Sequence, residues 1–396
     1  MIDNKLLKKL QLNVTDYNLD GRLFRVTGDI NDVCLDMKNY FFPYYQGKTG
    51  YCWLESTLQI ISLYVKRKTG KNILFDDEYL IFFDKLEKVN FFLESIIRES
   101  KAPITSNLNN YLLRNAMTDR GQWNMARNLI EKYGLVVKES STPLKVINTS
   151  ELNNYLTQLL KKATIYIRSN IQDEKKINSY RNELMQDVFD ILVSFFENKC
   201  DIFLESDSEE TNPVKFFRNE IGFPFDEYVS VCPIGEDVAQ EIEILCDGNI
   251  FEKQRNRFLQ VLESDFSYYM DMTIKEDGFC WCTGDFGKYF IKEKHILDDD
   301  CVTVKKDLKQ KVQIEGLGRG KLWRYKLTSM THAFVITKGD EGYYAYDSSY
   351  NLDSGDICWI SNSWASKYLL QAIVKRKFIK EFSKREKIGV YSWEFF

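Results

Sequence analysis

Apolar residues recur at helical spacing through the first part of the chain. After Cys52 they return every three or four positions, which predicts an amphipathic helix that begins near this cysteine. The apolar positions are Leu54, Leu58, Ile61 and Val65. The segments EYLIFFDKLEKVNFFLESIIRES and GQWNMARNLIEKYG have similar spacing, and Gly134 is expected to end the second helix. This pattern predicts a helical lobe over residues 41–140.

Two further changes of pattern divide the rest of the chain. Residues 149–198 are rich in charge and patterned as helix, and they predict an inserted helical domain over residues 141–265. After about Phe266, β-branched and aromatic runs that end at Gly or Asp predict strands. These runs are GFCWCTGDF, DDDCVTVKKDL, THAFVITKG, GYYAYDSSY and LLQAIVKRKFI. Residues 266–396 are therefore expected to form a β-rich lobe, and residues 1–40 an N-terminal arm.

The composition excludes several classes of protein. With 396 residues, 44% of them hydrophobic, the chain is long enough to bury a large core. Its net charge of −4 gives no overall attraction to nucleic acid or to an anionic membrane. No apolar run reaches the ~20 residues that cross a bilayer, and the first residues lack the apolar stretch of a signal peptide. We therefore predict a cytoplasmic protein without a nucleic-acid or membrane partner.

The cysteines and histidines argue against a disulfide framework and a metal site. Nine cysteines are scattered without a repeating spacing, and an odd number is unlike a secreted disulfide framework. Cys280 and Cys282 are separated by one residue, whereas paired zinc ligands are usually separated by two to four. The histidines are His295 and His332 alone. We expect no metal and no cofactor.

Cys52 has the sequence context of a catalytic thiol. The start of a helix presents partial positive charge, which lowers the pKa of a thiol and favours the reactive thiolate. In QGKTGYCW, Gly50 permits a close backbone approach just before the cysteine. Gln46, six residues before Cys52, offers an amide that donates to an oxyanion. A packed, inert thiol is the alternative if Cys52 has no partners.

His332 is the predicted base. It precedes an alternating apolar strand in SMTHAFVITKG, whereas His295 lies in the charged, surface-like stretch KEKHILDDD. A general base also needs a group that orients its ring. The next predicted strand, GYYAYDSSY, follows a short turn and brings Asp347, Ser348 and Ser349 alongside His332.

These segments resemble a known family. QGKTGYCW is similar to the Gln, Gly, Cys, Trp block of papain-like cysteine peptidases, and nearly the whole chain resembles their bleomycin hydrolase and aminopeptidase C branch. The resemblance implies an α+β, two-lobed papain-like fold with a helical lobe, a β-barrel-like lobe and an inserted helical domain. It gives Gln46 the oxyanion role, Cys52 the nucleophile and His332 the base, with Gly50 and Trp53 beside the substrate. It also implies a homohexamer that removes N-terminal residues from peptides.

The third member of the catalytic triad departs from the family, which has asparagine in a Glu-Asn-Ser-Trp-Gly block. One alignment uses ISNSWA, with Asn362 in that role. The other uses YDSSYN, in which Ser348 stands at the asparagine position and Tyr350 at the shielding tryptophan position. We favour Ser348, with Asp347 as a further alternative beside it. A hydroxyl orients an imidazole less firmly than an amide oxygen does, so reduced activity is expected.

Two further departures concern specificity. Glu55 replaces an aromatic residue one turn after the nucleophile. It is expected either to bind a substrate amine or basic side chain, or to face water or a nearby Lys or Arg. The segment IGVYSWEFF resembles the family's terminal arm but stops three residues after Trp393, so Phe396 is expected to fall short of the cleft. Longer substrates or acyl transfer are then possible. The alternative function is a weakened or inactive family member that binds peptides as a scaffold.

Overall fold

The computed structural model describes the larger part of the chain. The described residues are 41–138, 148–196, 212–233, 240–244, 256–286, 290–291, 296–297, 322, 328, 330–339, 341–349, 357–379 and 384–388. The predicted N-terminal arm, residues 1–40, lies outside this part. So do His295, Tyr350, Trp393 and Phe396.

The helices of the described part are concentrated before residue 222. In chain order they are Cys52–Thr69 (α1), Asp77–Arg98 (α2), Asn107–Arg114 (α3), Trp123–Tyr133 (α4), Ser150–Ser169 (α5), Glu174–Phe195 (α6), Pro213–Phe216 (α7), Glu263–Asp277 (α8) and Asn362–Tyr368 (α9). A π-helical turn, Phe217–Ile221, continues α7. Short 3-10 turns lie at Phe225–Glu227 and Arg376–Phe378.

Helix α1 lies in the interior and carries Cys52 at its first position. Gly70 ends the helix in the left-handed conformation, with φ of 72°, and its N–H donates to Lys66 O. The predicted helix is confirmed, but the expectation that an amphipathic helix turns its polar side to solvent is wrong. The polar side chains of Glu55, Thr57, Gln59 and Ser62 are buried as well, because helices cover one side of α1 and the sheet the other.

Helix α2 is the centre of the helical part. Helices α4, α5 and α6 all pack against it. Asp76 caps α2 by accepting from Tyr79 N, and Gly134 ends α4 as predicted, with φ of 78°. The apolar faces of these helices belong to one core that also contains side chains from the sheet.

The strands of the described part form one sheet. They are Tyr228–Cys232 (β1), Gln240–Ile244 (β2), Asn256–Gln260 (β3), Cys280–Gly284 (β4), Phe290–Ile291 (β5), Ile296–Leu297 (β6), His332–Lys338 (β7), Gly342–Tyr346 (β8), Ile357–Ser361 (β9), Leu369–Lys375 (β10) and Lys384–Ile388 (β11). Their order across the sheet is β11-β2-β3-β1-β10-β4-β7-β8-β9-β6-β5. Most neighbours are antiparallel. The parallel pairs among them are β1 with β3, β2 with β11, and β6 with β9.

The sheet corrects two expectations about the domains. Residues 141–265 were predicted to be helical, but β1, β2 and β3 come from this range and pair within the common sheet. Helices α5 and α6, from the same range, share the core of the helical part. The strand order is linear, and among the described strands the end strands β11 and β5 do not pair, so the expected barrel-like closure is not seen.

Alternation along the central strands gives the sheet two buried faces. Trp281 and Val335 point to the helical core with α1, whereas Cys282, Phe334 and Ile336 point to a second core. Helices α8 and α9 cover that second face. Strand β7 is therefore held on both sides at the point where it begins with His332.

Candidate active site

Cys52 is placed by the start of α1. The backbone N–H groups of Leu54 and Glu55 both donate to Tyr51 O, which closes the first turn directly at the cysteine. The first N–H groups of a helix have no acceptor within it, so they carry partial positive charge next to the thiol. The side chain of Cys52 is half-buried, and its sulfur accepts the N–H of Ala333 at 3.4 Å.

That contact joins α1 to the first residues of β7. Ala333 follows His332, which begins the strand and pairs with Gly284 of β4. The imidazole of His332 is 11% exposed and packs against Phe286, with 5.0 Å between ring centroids. Sequence reasoning missed Phe286, because an aromatic residue in a strand-rich segment carries no separate signal of a role at the site.

Asp347 orients the imidazole. Its Oδ1 lies 2.6 Å from His332 Nε2, and the carboxylate is fully buried. The same oxygen accepts the N–H of Ser349 at 2.9 Å and the Ser349 hydroxyl at 2.6 Å. Because Nε2 is held by Asp347, Nδ1 is the ring nitrogen that faces Cys52.

The expected contact between His332 and Ser348 is not formed, and Ser348 has a different partner. Its hydroxyl donates to Gln46 Oε1 at 3.0 Å, and its carbonyl accepts the N–H of Gln46 at 3.0 Å. The Gln46 amide nitrogen donates to Thr49 O at 2.9 Å. A carbonyl only accepts, so Thr49 fixes which end of the amide is nitrogen. Successive residues alternate in direction at the end of β8, which turns Asp347 to the imidazole and Ser348 to Gln46.

The charges at the site favour a thiolate beside an imidazolium. Burial alone would raise the pKa of Cys52, but the charge and hydrogen bond of His332, with the Ala333 N–H, lower it below its ordinary value. Burial likewise opposes the charged form of His332, yet Asp347 and Cys52 raise its pKa to about 10. The pKa of Asp347 is lowered in spite of burial, because His332 and Ser349 stabilise the carboxylate. The arrangement holds a nucleophile and a proton donor in contact at neutral pH.

A cleft of about 460 Å³ opens at Cys52 and His332. Gln46, Gly50 and Trp53, the residues predicted to lie at the oxyanion or beside a substrate, line it. Its other lining residues are Thr49, Arg120, Gly121, Gln122, Thr283, Met330, Thr331, Ala333 and Gln371.

Two predicted site residues lie elsewhere. Asn362 is at the start of α9, where its exposed side chain donates to Glu341 O at 3.0 Å, so it does not orient His332. Glu55 is 1% exposed and does not line the cleft, so it neither faces water nor reaches a substrate there. Burial and the neighbouring Asp77 raise the pKa of Glu55 well above its ordinary value. Asp77 accepts Lys138 Nζ at 2.8 Å, which leaves Glu55 as the neutral carboxyl of this group.

The described residues offer neither a metal site nor a membrane span. Within them, no cluster of three or more His, Cys, Asp or Glu side chains has the arrangement of metal ligands. None of their helices is long and apolar enough to cross a membrane. Cys280 and Cys282 are buried thiols on the face of the sheet that α8 and α9 cover, and their sulfurs lie 3.9 Å apart.

Comparison with known proteins decides the family. The sequence profile of the Peptidase C1-like family matches residues 43–393, which include every residue of the site described above. The chain belongs to this family. The prediction of a cysteine-type peptidase is confirmed at this level.

Relatives of this Peptidase C1-like chain carry two names. Aminopeptidase C of Listeria innocua is 23% identical over 375 residues, covering 88% of this chain and 84% of the relative. Aminopeptidase C of Lactococcus lactis subsp. cremoris is 25% identical, covering 85% and 81%. Bleomycin hydrolase of Gallus gallus is 24% identical, covering 88% and 84%. The predicted resemblance to this branch is confirmed.

A solved structure is similar in fold to this Peptidase C1-like chain. PepW from Lactobacillus rhamnosis superposes with a TM-score of 0.75 at 20% identity, covering 96% of this chain and 93% of PepW. The similarity confirms the α+β, papain-like fold that the sequence predicted.

Proposed function

We propose that this chain is a cysteine aminopeptidase that cleaves peptides through a thioester at Cys52. One observation carries the proposal: the sulfur of Cys52 meets the start of β7 at the N-terminus of α1, beside an imidazole held by Asp347. A thiol packed only for stability gains nothing from a buried histidine and carboxylate at this position.

Acylation uses the thiolate and the imidazolium. An electron pair of the sulfur forms a bond to the carbonyl carbon of the scissile bond, and the π pair of the carbonyl moves to the oxygen. The N–H of Cys52 and the side-chain amide of Gln46 are the proposed donors to that oxyanion. His332 then gives its Nδ1 proton to the leaving amine, so that the C–N bond breaks and a thioester remains.

Deacylation returns the enzyme to its first state. The neutral imidazole takes a proton from water, and the hydroxide attacks the thioester carbon. The C–S bond breaks, and the sulfur leaves as a thiolate next to the imidazolium. Asp347 keeps the ring in one orientation through both steps, because its carboxylate holds Nε2–H throughout.

The alternative of an inactive scaffold rested on Ser348 as a weak third member. A buried carboxylate at 2.6 Å from His332 favours an active enzyme over that alternative, since a charged acceptor is suited to orient the ring and stabilise its charge. Ser348 instead supports the orientation of Gln46.

Release of N-terminal residues is supported by the relatives named aminopeptidase C. The test is incubation with matched peptides that have a free or an acetylated N-terminus, followed by mass spectrometry of the products. Stepwise loss from the free peptides alone supports an aminopeptidase. Internal cleavage of both peptides, or transfer to an added amine, points to the other uses of the thioester. Absence of any product that depends on Cys52 contradicts the proposal.

Two further expectations from the family resemblance accompany it. One is a homohexamer, which light scattering tests directly, since each chain has a mass of 46.7 kDa. The other is a cytoplasmic location, which fractionation of cells that express the chain tests.

A further inference from the structure

A second carboxylate, Asp119, lies behind the loop that carries Cys52. Its side chain is 12% exposed. Oδ2 accepts the N–H of Gly50 at 3.2 Å and the hydroxyl of Thr149 at 2.6 Å. Oδ1 accepts Asn153 Nδ2 at 2.8 Å and pairs with the buried ammonium of Lys85. One side chain therefore receives four donors.

The backbone of Asp119 holds the other side of the nucleophile. Its carbonyl accepts Trp53 Nε1 at 2.8 Å. Gly50 and Trp53 flank Cys52, so Asp119 contacts the chain both before and after the cysteine. Lys88 fixes this carbonyl segment further, because its Nζ donates to the carbonyls of Thr118 and Arg120 at 2.9 Å each.

Asp119 also packs closely against Gly50. A Cβ on Gly50 would lie 3.1 Å from Asp119 Cβ, closer than ordinary contact. The loop thus lies directly on the carboxylate. Thr149 and Asn153 stand at the start of α5, and Lys85 lies on α2, so the helical part of the fold reaches the active-site loop through Asp119.

Asp119 is ionised at neutral pH and can therefore only accept hydrogen bonds. Burial alone would raise its pKa, but Lys85 and the hydrogen bonds from Thr149 and Asn153 lower it to about 2. An ionised carboxylate has only acceptor sites, and four donors face them.

We propose that Asp119 is a positioning residue, which fixes the peptide groups from Gly50 to Cys52 so that the N–H of Cys52 faces the developing oxyanion. The inference rests on the proposed role of Cys52 as nucleophile. Asp119 lines no part of the cleft and touches no reacting atom. It acts through the loop, while the imidazole and its carboxylate are held separately by β7 and the end of β8.

The first test is Asp119→Asn. Lys85 Nζ donates to the amide oxygen whether or not the amine keeps its extra proton, so the NH₂ group turns toward the N–H of Gly50, donor against donor. We expect kcat for a cleaved peptide to fall about 10- to 100-fold, with little change in KM. Alkylation of Cys52 by iodoacetamide needs the thiolate but no oxyanion donor, so its rate and pH profile should remain close to those of the parent.

A matched pair of double variants covers the case in which Asp119→Asn fails to fold. Both contain Lys85→Met, which removes the buried charge, combined with either Asp119→Asn or Asp119→Leu. In the first, the amide oxygen is free to face Gly50, and Asn153 turns its own amide to accept the NH₂ group. In the second, Gly50 has no acceptor. We expect kcat to be at least about tenfold higher with Asn than with Leu.

Asp271→Asn on the surface, where the carboxylate binds Lys338 and Tyr343, is the control and should leave kcat unchanged. Equal kcat in the two double variants overturns the inference, provided that both melt cooperatively. So does a fall of alkylation in parallel with kcat, since that outcome means collapse of the whole site. If the parent chain cleaves no peptide, the proposed function itself fails, whatever the variants do.

Discussion

The Nε2 atom of His332 lies 2.6 Å from Oδ1 of Asp347, and this bond decides which residue orients the imidazole. The carboxylate is buried and also receives two hydrogen bonds from Ser349. A charged acceptor stabilises the imidazolium more strongly than a neutral amide or hydroxyl does. The pH range over which the thiolate and imidazolium coexist should therefore be wide.

Asp347→Asn tests this consequence. Against the effect of burial, Asp347 and Cys52 together raise the pKa of His332 to about 10, so the alkaline limit of activity should lie near that value. Loss of the carboxylate charge lowers the pKa of His332, and the alkaline limb of kcat/KM should move down by about one pH unit or more. At neutral pH we also expect kcat/KM to fall at least about tenfold. An unchanged alkaline limb would show that Asp347 does not control the ring.

Ser348→Ala should have a smaller and different effect. The hydroxyl donates to Gln46, not to His332, so its removal loosens the oxyanion donor and leaves the imidazole in place. We expect kcat to fall about 3- to 10-fold, with the alkaline limb unmoved. The control is Ser366→Ala, whose hydroxyl bonds within α9. A shift of the limb like that of Asp347→Asn would contradict this assignment.

The sequence was sufficient to predict that Cys52 begins a helix and that His332 begins a strand, because both kinds of start leave a local pattern. It did not decide whether Asp347 or Ser348 orients His332. Adjacent residues at the end of a strand point in opposite directions, so a shift of one residue in the strand register exchanges their partners. Strands β1 to β3 were missed for a related reason. Each has only five residues, and the pairs of β1 with β10 and of β2 with β11 join segments far apart in the chain, so neighbouring residues carry little of the signal.

The burial of Glu55 and the contacts of Asp119 could not be predicted from the sequence either. A Glu in the first turn of a helix is ordinary at a surface, and only the position of α1 between helices and sheet makes this one buried. An isolated Asp has no motif. Its four donors come from three separate parts of the chain.

Glu55→Gln should change how stability depends on pH. Burial and Asp77 raise the pKa of Glu55 above its unfolded value, so its contribution to stability is present at low pH and is lost as the pH rises through the folded pKa. The amide of the Glu55→Gln variant cannot ionise, so the variant does not lose stability in this way as the pH rises. In urea unfolding from pH 5 to pH 8, the variant should therefore gain stability relative to the parent as pH rises. Glu183→Gln on the exposed face of α6 is the control. A difference in unfolding free energy between variant and parent that does not change with pH would contradict a buried, protonated Glu55.

Gly134→Ala and Gly70→Ala form a matched pair that tests the packing of α4. Both glycines have positive φ, but a Cβ on Gly70 meets nothing within 4 Å, whereas one on Gly134 would lie 2.1 Å from the backbone of Pro213. Gly70→Ala should cost about 1 kcal/mol and Gly134→Ala about 3 kcal/mol or more. Thermal unfolding measures both. Equal losses would mean that α4 and the segment at Pro213 do not pack as described.

The thiolate and imidazolium pair of Cys52 and His332 is tested most directly by the ultraviolet absorbance of the thiolate as a function of pH. The signal is the difference between the parent chain and Cys52→Ala. We expect a thiolate signal at neutral pH that persists until His332 loses its proton, and we expect this signal to be lost at neutral pH in His332→Ala. A thiol that titrates only near the ordinary value of 9.0, with or without His332, would contradict the thiolate and imidazolium pair on which the proposed chemistry depends.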